Sequence, residues 1–510
     1  MGGSQSNLVS RPCDTVEEAK GSRSSVWGVQ VPVAAAANWD VIVIGGGVVG
    51  CAVLRELTLR GWRALLVEAL PHLCAGASSG NTGIACTASD VTPGTLEHQC
   101  LQDAHTLNLP TYHALQVPHR PTGAMYVAYS DVEVAALREE RRVRMERGDA
   151  TPVLLTGPEA REKDAALDAG VVGALYLPGE TVVDPWLVPL AWARHAHENG
   201  GVIWRGVAVV SAKRHDADGT WCLGIEAYPS STGTGGALAS TSSTSVHSTS
   251  VHAPVMVACG GLRGDDLERL HRSPPFAIRP RRGDFVLLDE ETEKETENET
   301  DRTEASATAA RVVGQIPVGQ VPSATSRGVY VWRSAHGVLA CGPTAEDVEA
   351  RDTPPSETTP TVRQQLHAAA IKAFPHLRAA RVVGTYAGLR PGSDAPSKDY
   401  QIEATAGGWV TVGGIRSTGL TASLGIARHV AGLCEACCEG ALGRCGPPPR
   451  PRTEIRTTPL PPVTTLVASF VARGDGCVVF GDDALGFGPH RVTHPLTRAG
   501  FERLARQARE

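Results

Sequence analysis

A chain of 510 residues with 42% hydrophobic and 20% charged content is an ordinary globular protein able to bury two sizeable cores. Its formal charge of −6 is matched by one stretch, Asp289 to Arg302, which holds eight acidic and two basic residues; the remainder is neutral and offers no basic footprint for nucleic acid. No run of 18 apolar residues occurs, which argues against a membrane-spanning helix, and thirteen cysteines scattered over a long chain predict reduced thiols rather than a disulfide framework.

Residues 1–37 lack hydrophobic periodicity and read as a disordered leader. Its start, Met1-Gly2-Gly3-Ser4-Gln5-Ser6, fits the N-myristoylation pattern, and Cys13 could carry a second acyl chain. The expectation is a cytoplasmic protein, with peripheral membrane anchoring through an acylated Gly2 as one reading and an unmodified polar leader as the other. A mitochondrial presequence fits less well because Asp14, Glu17 and Glu18 interrupt a segment that should be nearly free of acids.

The fold proper is expected from Asn38. Asp40–Ile44 is a short β-branched run suited to a buried parallel strand. It enters Gly45-Gly46-Gly47-Val48-Val49-Gly50, where Gly45 makes a tight turn, Gly47 lets backbone approach a pyrophosphate, and Gly50 permits close helix packing. Cys51–Leu59 has helical spacing, Ala64–Val67 is a second strand, and Glu68 stands where a carboxylate meets ribose hydroxyls. Strand, glycine turn, helix, strand and terminal acid in register predict a dinucleotide site, open at this point to NAD or FAD.

Further along come Gly76-Ala77-Ser78-Ser79-Gly80-Asn81-Thr82-Gly83-Ile84, Asp90 and Pro93-Gly94-Thr95-Leu96-Glu97. Gly173–Tyr176, Val183-Asp184-Pro185, Pro280–Phe285, His336-Gly337, Gly342–Asp347, Tyr386–Pro391 and Gly414–Ser423 follow in order. Over residues 38–435 these segments resemble the D-amino-acid-oxidase-like superfamily of FAD enzymes. Within it they resemble the branch of FAD-dependent glycerol-3-phosphate and L-2-hydroxyglutarate dehydrogenases. The resemblance selects FAD. It implies cofactor contacts from Gly45, Gly47, Val48, Val49, Gly50, Glu68, Ser78, Ser79, Asn81 and Thr82. It implies others from Val209, Gly261, Gly414, Ile415, Gly419, Leu420 and Thr421. The small polar loop Ser78–Asn81 suits a pyrophosphate and ribityl chain, which need donors and little bulk.

An anionic substrate calls for guanidinium forks, and Arg390 and Arg416 are the candidates, with a salt bridge inside the domain interface as their alternative role. The resemblance implies a histidine near the flavin where this chain has Cys86; Cys86 and His336 are the acid/base candidates. The expected enzyme is an FAD-dependent dehydrogenase or oxidase that takes hydride from glycerol 3-phosphate and passes electrons to quinone or oxygen. An L-2-hydroxy-acid or amino-acid oxidising relative and a non-catalytic FAD-binding scaffold are the other readings.

The expected architecture is α/β: a Rossmann-like, doubly wound FAD domain from residues 38–100, 180–270 and 380–435. Residues 101–179 and 271–379 should form a smaller substrate domain on a mixed or antiparallel sheet. The hydroxyl-rich stretch 230–250 and the acidic stretch 289–310 read as surface loops. Cys434, Cys437, Cys438 and Cys445 lack a second paired unit and predict no metal site. Residues 440–510, opened by proline clusters, read as an appendage with short strands at 466–470 and 476–480 and a helix at 495–509.

Overall fold

A computed structural model describes residues 39–509 apart from 89–90, 216–217, 229–248, 291–313, 323–327, 353–357, 406, 439–447 and 482–485. The leader with Gly2 and Cys13, Asp90, Cys445 and most of the stretches 230–250 and 289–310 lie outside the described residues.

The fully buried run Val41–Ile44 pairs in parallel with Ala64–Glu68 on one side and Val255–Ala258 on the other. Val202–Arg205 and Trp409–Gly413 extend this sheet in parallel, and Gln401–Thr405 closes one edge antiparallel, giving six strands. Strand alternation sends the two sets of side chains to different layers. Val41, Val43 and Leu66 pack under the helices Val48–Leu59, Leu187–Glu198 and Gly419–Cys438. Ile42, Ile44, Leu65 and Val67 meet a three-stranded antiparallel sheet of Val207–Arg214, Trp221–Ala227 and Thr249–Ala253. This is the Rossmann-like α/β architecture that the sequence predicts, with an antiparallel sheet covering the face opposite the helices.

Among the described residues the second sheet has nine strands, and its one parallel pair, Val318–Gln320 with Ala124–Ala128, makes it mixed. Its longest ladder joins Ile278–Asp289 to Arg381–Ser393. The latter strand thus belongs to the nine-stranded sheet, although the sequence grouped residues 380–435 with the cofactor domain. Helix Pro360–Ala373 covers one face with Leu366 and Ala370.

Leu466–Phe470, expected as a strand, lies in a helix, Val463–Arg473. Leu466, Val467 and Phe470 recur at helical spacing and enter the core that also holds Phe501 from the final helix Pro495–Gln507. Leu460, Leu466, Val467, Phe470, Phe480 and Phe501 therefore pack into the cofactor-domain core, and Leu460 donates its N–H to the Leu115 carbonyl at 2.9 Å. Among the described residues no helix is long and apolar enough to cross a membrane.

Candidate functional site

The glycine turn is fixed by backbone contact. Gly45 has φ +108°, and a Cβ there would lie 2.4 Å from the Cys259 carbonyl oxygen; a Cβ at Gly50 would lie 1.9 Å from the Gly45 oxygen. A side chain at Gly45 would have to push the turn off the Cys259 backbone, and one at Gly50 would part the helix from the turn. Helix Val48–Leu59 has no side-chain cap of its own, and Val48 N–H donates to Ser78 Oγ at 3.0 Å. The loop predicted to embrace a pyrophosphate thus stands at a helix N-terminus, where donors and dipole favour an anion. Glu68 accepts from Gly46 N–H at 2.6 Å and Leu70 N–H at 2.7 Å. Burial pushes its carboxyl above the ordinary value, and these two amide bonds work against that. Its oxygens retain further lone pairs for ribose hydroxyls.

A second helix N-terminus meets the first. Strand Trp409–Gly413 turns through Gly414, φ +65°, into helix Gly419–Cys438. A Cβ at Gly419 would lie 3.0 Å from Ile415 and 3.9 and 4.0 Å from Val49 and Val48. Leu420 and Thr421 are buried just inside this helix. Cys86 donates its N–H to Thr421 Oγ1 at 3.2 Å, with its thiol 3.7 Å from the same oxygen. Gly261, φ +52°, has open space where a Cβ would stand, after the strand Val255–Ala258. Val209 lies in the three-stranded sheet opposite Ile225, beside a register shift before Ser211, and packs against the core that holds Leu65 and Val67.

The loop 76–83 is shaped by its own polar groups. Ser79 Oγ donates to the Gly76 oxygen at 2.8 Å, Asn81 Nδ2 donates to the Ser78 oxygen at 3.0 Å, and Thr82 Oγ1 accepts from Ile84 N–H at 3.1 Å. It crosses strand Arg381–Ser393 where two glycines touch: a Cβ on Gly388 would lie 1.9 Å from the Gly80 oxygen. Tyr386, two residues back on the same strand face, donates its hydroxyl to the Asn81 oxygen at 3.2 Å. Arg390, two residues on, donates to the Arg282 and Thr344 carbonyls at 3.4 and 3.3 Å. Tyr386, Gly388 and Arg390 thus share the strand face that meets this loop.

Arg416 is engaged elsewhere. Its Nη2 lies 2.5 Å from Glu97 Oε2, and Thr418 Oγ1 donates to Glu97 Oε1 at 2.7 Å. Its Nε is buried with no hydrogen-bond partner among the described residues. Glu97 is 1% exposed and the Arg416 side chain 40%. Arg416→Leu should therefore cost about 2 kcal/mol, between surface and fully buried pairs, read as a lower denaturant midpoint.

His336 is placed with Asp184, its Nε2 2.5 Å from Oδ2, and its ring packs against Phe501. Asp184 is fully buried at the start of helix Leu187–Glu198, accepting from Trp186 and Leu187 N–H and from Thr497 Oγ1 at 2.8, 2.6 and 3.0 Å. Burial pushes the Asp184 carboxyl up, but the His336 ring and the amide bonds outweigh it and hold the group below its ordinary value.

One residue that the sequence did not single out reaches the loop. His494, fully buried, offers Nε2 to Asn81 N–H at 3.2 Å and Nδ1 to Leu496 N–H at 3.2 Å. A neutral imidazole has one acceptor nitrogen, so one of these contacts is a full hydrogen bond at a time. The signal was His494-Pro495, an N-cap followed by proline at the first helical position.

Burial holds the His494 pKa down at about 4, against the partial counteraction of the Asp184 charge. Below about pH 6.5 the unfolded chain protonates first, so stability is lost as pH falls toward 4 and is untouched above that window. His494→Gln should remove about 3 kcal/mol of this acid loss, seen as a shallower dependence of the unfolding midpoint on pH. His72 and His195, also held at about 4, add losses of the same sign that the variant retains.

A family model described as FAD dependent oxidoreductase matches residues 40–433, spanning the glycine turn, the 76–83 loop and the second helix. The chain belongs to this family of FAD-dependent oxidoreductases. The oxidoreductase is 25% identical over 392 residues to a glycerol 3-phosphate dehydrogenase of Caloramator mitchellensis, covering 77% of this chain and 73% of the relative. It is likewise 25% identical over 405 residues to a glycerol 3-phosphate oxidase of Mycoplasma pneumoniae, covering 77% and 94%. Its fold is similar to that of the dithionite-reduced L-alpha-glycerophosphate oxidase of the same organism with FAD bound. That match has a TM-score of 0.66 and 22% identity over 83% of this chain and 99% of the other. A glycine oxidase of Bacillus cereus shares the fold at TM-score 0.60 and 19% identity, over 78% and 98%.

FAD is the cofactor of this oxidoreductase, and the residues present fit it. The backbone at Gly45 and Gly50 admits no Cβ, two helix N-termini converge, and Glu68 closes the second strand. Relatives that are oxidases and dehydrogenases imply a small substrate and an electron acceptor such as oxygen.

Proposed function

We propose that this flavoprotein oxidises a small anionic secondary alcohol, glycerol 3-phosphate, and passes the electrons to quinone or oxygen. The observation that carries the reading is the strand face Tyr386, Gly388, Arg390, which sets a guanidinium two residues from the contact with the Gly80 loop. The named relatives support the choice of substrate, since two of them act on glycerol 3-phosphate by name. FAD, when bound, supplies an acceptor for the hydride from the carbinol carbon.

In this reading Gly45, Gly47, Val48, Gly50 and Glu68 hold the adenosine and pyrophosphate half. Ser78, Ser79, Asn81 and Thr82 close over it, and Gly414–Thr421 bring the second helix N-terminus toward the reacting end. Arg390 binds the phosphate with a planar fork, while Arg416, neutralised by Glu97, holds helix to strand. The Cys86 thiolate, seated on Thr421, takes the hydroxyl proton and becomes the thiol. His336 keeps Asp184 charged and the C-terminal helix docked. A quinone acceptor calls for the bilayer contact that acylation of Gly2 would supply; oxygen calls for none.

Cys86→Ala should lower kcat by about tenfold or more with KM little changed, as expected for a proton-transfer group. An equal rise in KM and no change in kcat would remove Cys86 from this role. The substrate is tested with a panel containing glycerol 3-phosphate, L-2-hydroxyglutarate and neutral glycerol under anaerobic conditions. Glycerol 3-phosphate should give the largest kcat/KM; preference for the hydroxy acid would move the reading to that branch.

A further inference from the structure

Away from the cofactor cradle, the outer face of the three-stranded antiparallel sheet gathers two imidazoles and a thiol. The ligating atoms of His215, Cys222 and His252 all lie within 4.8 Å of one another. They come from three separate stretches of chain. Cys222 and His252 are direct cross-strand partners, and His215 follows strand Val207–Arg214, whose Arg214 pairs with Trp221. His215 is tied to the hairpin by two backbone bonds, donating its N–H to the Thr220 oxygen at 2.8 Å and accepting from Gly219 N–H at 2.9 Å.

We propose that His215, Cys222 and His252 form a zinc-binding site that clips the free face of this sheet, with water completing a tetrahedron. Two nitrogens and one sulfur are a ligand set that suits zinc, with its tetrahedral preference and borderline softness. The spacing is held by the opposite face. Trp221, Leu223, Val251 and Ala253 alternate with the ligands and are buried against the six-stranded sheet, and Trp221 Nε1 donates to the Gly407 oxygen at 2.6 Å. Ligands mounted on packed strands keep their geometry better than ligands on loops. Ser250 Oγ lies 3.2 Å from His252 Nε2, the kind of outer contact that orients a ligating imidazole.

The site is independent of the flavin chemistry, and so is its test. Untagged holoprotein is stripped with a chelator, dialysed against zinc chloride, and its zinc and FAD are measured per chain. One zinc per chain is expected, with a higher unfolding midpoint than the stripped protein. Cys222→Ser, His252→Ala and His215→Ala should each weaken zinc binding by at least about tenfold, with FAD content unchanged. Because His215 is exposed, its variant keeps the test valid even where a strand substitution disturbs folding. No zinc uptake, or zinc uptake that survives His215→Ala and Cys222→Ser alike, would overturn the proposal.

Discussion

Gly50→Val should yield a colourless protein. A Cβ at this position would lie 1.9 Å from the Gly45 carbonyl oxygen, and neither partner is a flexible side chain that could step aside. The first turn of helix Val48–Leu59 must then move off strand Val41–Ile44, taking the Val48 N–H away from Ser78. Overpacking of this kind costs about 3 kcal/mol, which placed on the bound form alone weakens FAD by about a hundredfold. Flavin absorbance per chain after gel filtration, followed by fluorescence titration of the apoprotein with FAD, measures it. Retention of FAD at wild-type affinity would show that the glycine turn does not hold the cofactor.

Arg390→Gln should leave FAD in place and lower kcat/KM for glycerol 3-phosphate by about a thousandfold. The estimate takes two charge-assisted hydrogen bonds to phosphate at about 2 kcal/mol each and converts them at about 1.4 kcal/mol per decade. Most of the loss should appear in KM, because the phosphate is bound equally in ground and transition states. Arg390→Lys should recover part of it, keeping the charge and losing the fork. The bonds from Arg390 to the Arg282 and Thr344 carbonyls give the substitution a structural side as well. Flavin content and unfolding midpoint measured on the same variants separate the two effects. A tenfold or smaller loss equal for glycerol and glycerol 3-phosphate would assign Arg390 to the sheet alone.

The cofactor cradle was legible because steric exclusion acts on neighbouring residues. Gly45 and Gly50 meet within one turn, so their spacing alone announces the motif. Gly80 and Gly388 exclude each other just as strongly, but their contact joins a loop to a distant strand, and spacing carries no sign of it. The same holds for Glu97 with Arg416 and for Asp184 with His336. Leu466–Phe470 was misread because a five-residue apolar run fits both strand and helix; the deciding residues are Val463 before it and Gly474 after it, at φ +65°. His215, Cys222 and His252 come together only through strand register, including the shift between Val209 and Ser211. The order of motifs carried the family, whereas the partners of each charged side chain required the fold.

Anaerobic mixing of the purified holoprotein with glycerol 3-phosphate, followed at the flavin absorbance, tests the central claim most directly. The account predicts full bleaching of the oxidised flavin band at a rate that saturates with substrate, recovery on admitting oxygen or a quinone, and no comparable bleaching by neutral glycerol. A flavin that stays oxidised with glycerol 3-phosphate, or that glycerol reduces equally well, would contradict it.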